Sequence, residues 1–333
     1  MLWIERYRPG QFLDIKGQDE VIGHLNGFVE SSRLPHLLLF GPHGTGKSCA
    51  LECLARGIYG EHSAENLTII ESGALFRHGR SWLENEEKFS HLYKKDESVL
   101  SNFKRIVRWY ASMKPFNADF KIIAFEEAHL LPFDAQAGLR RIMEKYSSTC
   151  RFVLMTQQQT SVIPAIASRC LPLFFRPLDN GEIISVLNEI PRESCPASLD
   201  ITDEELEFIA ETARGDCRKA VTYFQLYCMK EGQIDLSEVS GSETEMIAQS
   251  LFSALKDRNF QKAKESSEML MIEYGLSGSE VIGEISKIAK REYNDKRIAI
   301  VLGEADGMLC NAGNEFVQVN AALARIIAEV FNE

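Results

Sequence analysis

The stretch FGPHGTGKSCALECLA, residues 40–55, limits the possible folds more than any other part of this 333-residue chain. It sets Gly41, Gly44, Thr45, Gly46, Lys47 and Ser48 in the order G-x-x-x-x-G-K-S. The glycines let a turn wrap closely enough for backbone N–H groups to face phosphate oxygens at a helix N-terminus, where aligned peptide dipoles add positive potential. Lys47 is placed to reach the outer phosphates, and Ser48 to offer its hydroxyl to magnesium. An apolar run precedes the loop and an amphipathic pattern follows it, so the local unit reads strand, phosphate loop, helix.

The surroundings repeat that logic. Short apolar runs at 36–40 (HLLLF), 67–70 (LTII), 121–125 (KIIAF), 151–155 (RFVLM) and 171–175 (LPLFF) alternate with helical stretches, the pattern of a parallel sheet with crossover helices. Their continuous hydrophobicity predicts strands buried on both faces. After residue 176 the periodicity is helical: NGEIISVLNEI, then a long run that a Thr202-Asp-Glu-Glu start would cap. A further helical block begins near 237 and pauses at Gly275. The expected fold class is α/β: a nucleotide-binding parallel-sheet domain at 1–175, a helical lid domain at 176–236, and an all-helical C-terminal domain at 237–333. The mixed-charge segment 77–101 reads as an excursion from the sheet.

Composition sets the outer bounds. Lys and Arg total 37 against 48 Asp and Glu, a net charge of −11, so any nucleic-acid contact must come from a local basic cluster. No apolar run is long enough for a signal peptide or a membrane span, which predicts a cytoplasmic chain with no membrane partner. Eight cysteines occur without a Cys-x-x-Cys spacing, and reduced core thiols are expected.

The run IIAFEEAHLL, residues 122–131, ends its apolar stretch on two adjacent acids. In phosphate-loop NTPases an acid at the end of a neighbouring strand orders magnesium, and in one large branch the next acid polarises the attacking water. Glu126 and Glu127 occupy those places.

At these residues, and across nearly the whole chain, the sequence resembles the small subunits of replication factor C, the sliding-clamp loader within the AAA+ ATPases. WIERYRP (3–9), IKGQDEVIGHL (15–25), DAQAGLRRIMEKYSSTCRFVLM (134–155), SRC (168–170), GDCRKAV (215–221) and the segments EYGLSGSEVI and GEADGMLCNAGNEFVQVNAALARI carry the likeness. The resemblance implies ATP and Mg2+ as cofactors and a C-terminal collar. It puts Arg8, Pro9, Ile15 and Gln18 around the adenine and Arg218 at the γ-phosphate. It also implies that Arg169 projects into the neighbouring subunit's site as an arginine finger. The implied partners are the other clamp-loader subunits (a large subunit and small subunits, as a pentamer), the ring-shaped clamp and primer-template DNA. With no N-terminal extension or nuclear-type basic run, an archaeal source is expected.

The sequence departs from the family pattern around hydrolysis. Glu126-Glu127 replaces Asp-Glu, carrying the first carboxylate farther out by about 1.5 Å, one carbon–carbon bond. Gln157 stands at the first-sensor position where the family has Asn. The stretch NASDERG is absent, although SNFKRIVRWYASM can still form the following helix, with Lys104, Arg105 and Arg108 on one half of it. Those three could contact phosphates without reading sequence; an ordinary solvated face would look the same. The expected function is therefore an ATP-binding clamp-loader subunit that completes its neighbour's site and hydrolyses slowly itself. The alternatives are a non-hydrolysing structural ring member and an AAA+ motor of another kind.

Overall fold

Each of the five apolar runs forms a strand: β1 (His36–Phe40), β2 (Leu67–Glu71), β3 (Lys121–Glu126), β4 (Cys150–Thr156) and β5 (Cys170–Phe174). They make one sheet in the order β2-β3-β4-β1-β5, and every pairing is parallel. The structure is a computed structural model and describes residues 2–191, 194–196, 199, 201–230, 243–293, 295–309 and 314–331.

The three consecutive leucines of β1 serve both faces of the sheet, as the two-residue strand repeat requires. Leu37 and Leu39 pack with Val21 and Leu25 of α1 (Asp19–Ser31) and Leu51 and Leu54 of α2 (Lys47–Tyr59). Leu38 points the other way, into a core with Phe103 and Val107 of α3 (Val99–Ser112) and Leu139 and Met143 of α4 (Phe133–Lys145). All three leucines are buried to 1% exposure or less. Each contributes about 1.5–3 kcal/mol relative to an exposed side chain.

Double-sided burial fails at β5. Leu171 and Phe174 are exposed, because this strand pairs with β1 on one side and forms the sheet's edge on the other. Pro172, which has no N–H to give a ladder, sits in that edge strand. The 77–101 excursion is anchored: two short helices, Arg80–Asn85 and Glu87–Ser90, bury Leu83 and Phe89 in the α3/α4 core.

Among the described residues of the first compact unit, three helices follow the sheet. A capping box of Asp179 and Glu182 starts α5 (Asn180–Glu189), and one of Thr202 and Glu205 starts α6 (Asp203–Ala213). The long helical run after Thr202 is broken by Arg214 and Gly215, both at positive φ. A Cβ on Gly215 would meet Pro177 Cβ at 2.7 Å, so the break needs glycine for space as well as for conformation. The chain then enters α7 (Cys217–Met229), capped by Asp216. The N-terminal segment rests on α7: Trp3 is buried edge-on to Phe224, and its backbone N–H donates to Gln225 Oε1.

Reduced thiols were expected throughout, and this requires correction. Cys195 and Cys228 form a disulfide across 33 residues of sequence. The pairing arises because the segment after α5 returns to the last turn of α7, which no local spacing reveals. Cys49, Cys53, Cys150, Cys170 and Cys217 are free thiols, and Cys310 lies outside the described residues.

The chain divides into two compact units, residues 1–234 and 235–333. The expected boundary at 236/237 lies outside the described residues. Among its described residues, the second unit has α8 (Glu243–Lys256), α9 (Phe260–Ile272), α10 (Gly278–Glu292), α11 (Lys296–Leu309) and α12 (Glu315–Ile326), the last continuing into a π-helical turn at Ile327–Phe331, around one apolar core that includes Leu251, Phe252, Ile285 and Leu323. Gly275, at φ 68°, supplies the turn before α10, where Ser277 and Glu280 form a capping box. Among the described residues, no helix is long and apolar enough to cross a membrane.

Candidate functional site

The loop between β1 and α2 has Gly41, Gly44 and Gly46 at φ 145°, 68° and 95°, conformations that side chains resist. Two of these positions also have neighbours that leave no room for a Cβ. At Gly41 it would lie 2.0 Å from the Phe175 carbonyl oxygen, and at Gly44 it would lie 1.7 Å from Asp216 Oδ1. Lys47 opens α2, and its Nζ folds back into the loop, donating to the carbonyls of Gly41 (2.8 Å) and Pro42 (2.5 Å). Burial lowers the Lys47 ammonium to about 8; nearby Arg218 pushes the same way and Asp216 opposes. Thr45 is buried, with its hydroxyl on the Pro42 carbonyl. Two cations beside a glycine turn at a helix N-terminus make a site that gains from a polyanion.

The acids at the end of β3 diverge. Glu126 Oε1 accepts a 2.6 Å hydrogen bond from Ser48 Oγ, so the longer side chain still reaches the loop hydroxyl. That hydroxyl–carboxylate pair has the hard-oxygen character magnesium takes, and so fits the ion. Glu127 adopts φ 48° and turns its carboxylate onto Gly73, where an added Cβ would sit 1.9 Å from Oε2. Gln157, just past β4, has its amide nitrogen 2.6 Å from His43 Nε2. The contact occupies the Gln157 amide with a ring nitrogen of the phosphate loop. His129 follows Glu127 by two residues. Burial lowers its pKa while Glu127 opposes and His43 and Arg77 assist, and its Nδ1 is buried with no hydrogen-bond partner.

The four residues expected at the base contact α2, the loop and the chain just past β5. Arg8 donates to Glu52 at 2.6 Å. Pro9 offers its carbonyl toward Cys53 Sγ, and Ile15 comes within 3.3 Å of a Cβ built on Gly46. Gln18 is buried; its amide both donates to and accepts from the Arg176 backbone, tying α1 to the strand that leads into the lid. Arg218, in the first turn of α7, is within electrostatic reach of Lys47. The lid also touches the loop backbone, since Cys217 N–H donates to the Gly44 carbonyl at 3.2 Å.

Arg169 stands apart from this pocket. Its guanidinium folds along its own chain, donating to the Ala165 carbonyl and to Glu144 Oε1, each at 2.6 Å. The three basic residues of α3 also separate. Arg105 is held by two bonds to Glu97 and one to Asn102. Lys104 and Arg108 instead line a groove of about 460 Å³ together with Arg141, Lys145 and Tyr146 from the α4 side. Gly138 makes room for the Lys104 stem, whose Cε would lie 2.5 Å from an added Cβ.

Sequence reasoning overlooked His43, Gly73, His129, Glu144 and Asp216. Asp216 precedes a helix and could have been read as its cap. The others depend on contacts between distant segments.

A glycine cradle at the end of β1, adjacent acids ending β3, the strand order and a helical lid define a phosphate-loop domain of the AAA+ class. Residues 17–179 match the family model described as DNA polymerase III, delta subunit, and residues 243–325 match the replication factor C C-terminal domain. Replication factor C small subunits from Archaeoglobus fulgidus and Picrophilus torridus are 33% and 34% identical to this chain. The alignments cover 97% and 98% of it and 96% of each relative. Among solved structures, the Aeropyrum pernix Orc1 protein in complex with DNA aligns at TM-score 0.52 and 16% identity, covering 96% of this chain and 98% of that one. A point mutant of Thermotoga maritima RuvB aligns at TM-score 0.51 and 15% identity, covering 84% of this chain and 86% of that one. These two likenesses concern the fold alone. The chain belongs to the replication factor C small-subunit family, the clamp-loader branch of the AAA+ proteins.

Proposed function

We propose that this chain is an ATP-binding ring subunit of a clamp loader, one that completes its neighbour's active site with Arg169 and hydrolyses its own nucleotide slowly. The observation that carries the reading is the contrast within one pocket. The loop glycines, Lys47, Ser48 and Arg218 are gathered as a triphosphate needs, while Glu127 lies against Gly73 and Gln157 is engaged by His43.

Ser48 and Glu126 would hold magnesium, which when bound neutralises charge on the phosphate oxygens. Lys47 and Arg218 bind the outer phosphates, and Ile15, Pro9, Arg8 and Gln18 surround the base. Polarising water falls to Glu127, which must leave Gly73 to do so. Misplacing a reacting group by about an ångström costs roughly a hundredfold in rate, which supports slow turnover at this site. Lys104 and Arg108, joined by Arg141 and Lys145, provide a phosphate-binding groove for primer-template DNA. Arg105 is taken by Glu97 and drops out of that set.

The complete complex, assembled with its other subunits and the clamp, tests the reading. Arg169→Ala should abolish most turnover and clamp closure, whereas Glu127→Gln in this subunit should cost little. Undiminished turnover with Arg169→Ala removes the proposal; a large loss with Glu127→Gln shows that this site hydrolyses efficiently. In DNA binding, Lys104→Ala and Arg108→Ala should each reduce the salt slope by about one, with Arg105→Ala leaving it unchanged.

A further inference from the structure

Two guanidinium groups converge on one carboxylate oxygen beside β5. Glu144 Oε1 is 2.6 Å from Arg169 Nη2 and 3.4 Å from Arg140 Nε. Arg140 and Glu144 are four residues apart on α4, so they are neighbours whatever Arg169 does. Arg169 approaches from outside that helix, out of the short turn Pro164–Ala167 that precedes β5. Its second nitrogen, Nη1, is spent on the Ala165 carbonyl at 2.6 Å, with Ser168 Oγ at 3.4 Å. Each terminal nitrogen of this arginine therefore spends at least one of its two N–H groups inside its own chain, which holds the guanidinium against α4. A swing to a phosphate on another subunit would have to break these contacts.

Charge makes the arrangement reversible. Two cations share one anion, leaving a surplus positive charge at a surface where all three side chains are about two-fifths exposed. If Arg169 leaves, Glu144 keeps Arg140 and no carboxylate is orphaned, which removes the usual penalty for breaking such a pair.

We infer that Glu144 is a positioning residue that parks the finger Arg169 on its own subunit, and that Arg140 takes over the carboxylate when Arg169 swings to a triphosphate on the neighbour. The inference rests on the finger role given to Arg169 above. It makes the finger conditional: the neighbour's triphosphate must outcompete Glu144, and Arg140 lowers the cost of that exchange. A diphosphate offers no γ-phosphoryl oxygens and leaves the finger parked.

The test uses the assembled complex and compares binding of a non-hydrolysable ATP analogue with binding of ADP. Glu144→Gln should tighten the triphosphate analogue by about two- to fivefold, the scale of a partly exposed ion pair, and leave ADP unchanged. Arg140→Gln should weaken the analogue by a similar factor, and that effect should vanish when combined with Glu144→Gln. Neither change should matter in an Arg169→Ala background, where a merely structural role of Glu144 would persist. The inference is overturned if Glu144→Gln is silent or weakens the analogue, or if its effect survives Arg169→Ala. A silent Arg169→Ala, in binding and in turnover, removes the finger role itself; a normal Arg169→Ala effect with a silent Glu144→Gln removes this inference alone.

Discussion

The two halves of the nucleotide pocket were built under different constraints. On the loop side, each element is over-determined: glycine torsions, the fold-back of Lys47 and the lid contact to Gly44 all impose one shape. On the side where water would be activated, the side chains are long and each has found a local partner, Glu127 at Gly73 and Gln157 at His43. Binding demands a fixed cradle, while hydrolysis demands in addition a base and an amide aimed at one point. A chain can keep the first and let the second drift.

Restoring the shorter side chains attacks this contrast most directly. Glu126→Asp combined with Gln157→Asn should raise turnover at this subunit's own site, by up to roughly a hundredfold, in single-turnover assays of the complex. No gain would mean that turnover at this site does not depend on the length of these two side chains. Lys47→Ala should weaken nucleotide binding by roughly ten- to a hundredfold in calorimetric titration, since charge-assisted hydrogen bonds to the phosphates disappear. A smaller loss would make the cradle less decisive than its geometry argues.

Protonation gives a subtler measure. Burial holds the Lys47 ammonium near 8, so at pH 8 about half of it is charged, and an anionic ligand restores the rest. Nucleotide binding at pH 8 should take up about half a proton, measured by calorimetry in buffers of different ionisation enthalpy, and affinity should fall as pH rises above 8. In the unliganded chain the same depression means that stability gains from Lys47 as pH climbs from about 8 toward the usual lysine range, because the unfolded chain binds more protons there. The smallest effect belongs to His43→Ala, which removes one exposed hydrogen bond. It should change nucleotide affinity by about twofold or less and leave the melting temperature almost unmoved.

The sheet and the cradle were legible in the sequence because their physics is local. A buried parallel strand must be apolar along its length, and a loop that wraps phosphate must have glycine where φ is positive. What escaped is non-local. The exposure of Phe174 follows from β5 lying at the edge, a matter of strand order. The break at Arg214–Gly215 lies inside a run with good helical periodicity, and it is set by the approach of Pro177. The Cys195–Cys228 bond joins residues with no telltale spacing. Arg105 looked equivalent to Lys104 on the helical wheel until Glu97, eight residues earlier in the chain, claimed it. For the same reason the family resemblance singled out Arg169 in the chain but could not tell what occupies it when no neighbour is present.

The Asp216 carboxylate, wedged above Gly44 while the next residue's N–H grips that glycine's carbonyl, makes the lid a latch on the cradle. The start of α7 is thereby tied, through a side chain and a backbone hydrogen bond, to the same loop that carries Lys47, so neither element can shift alone without breaking a contact.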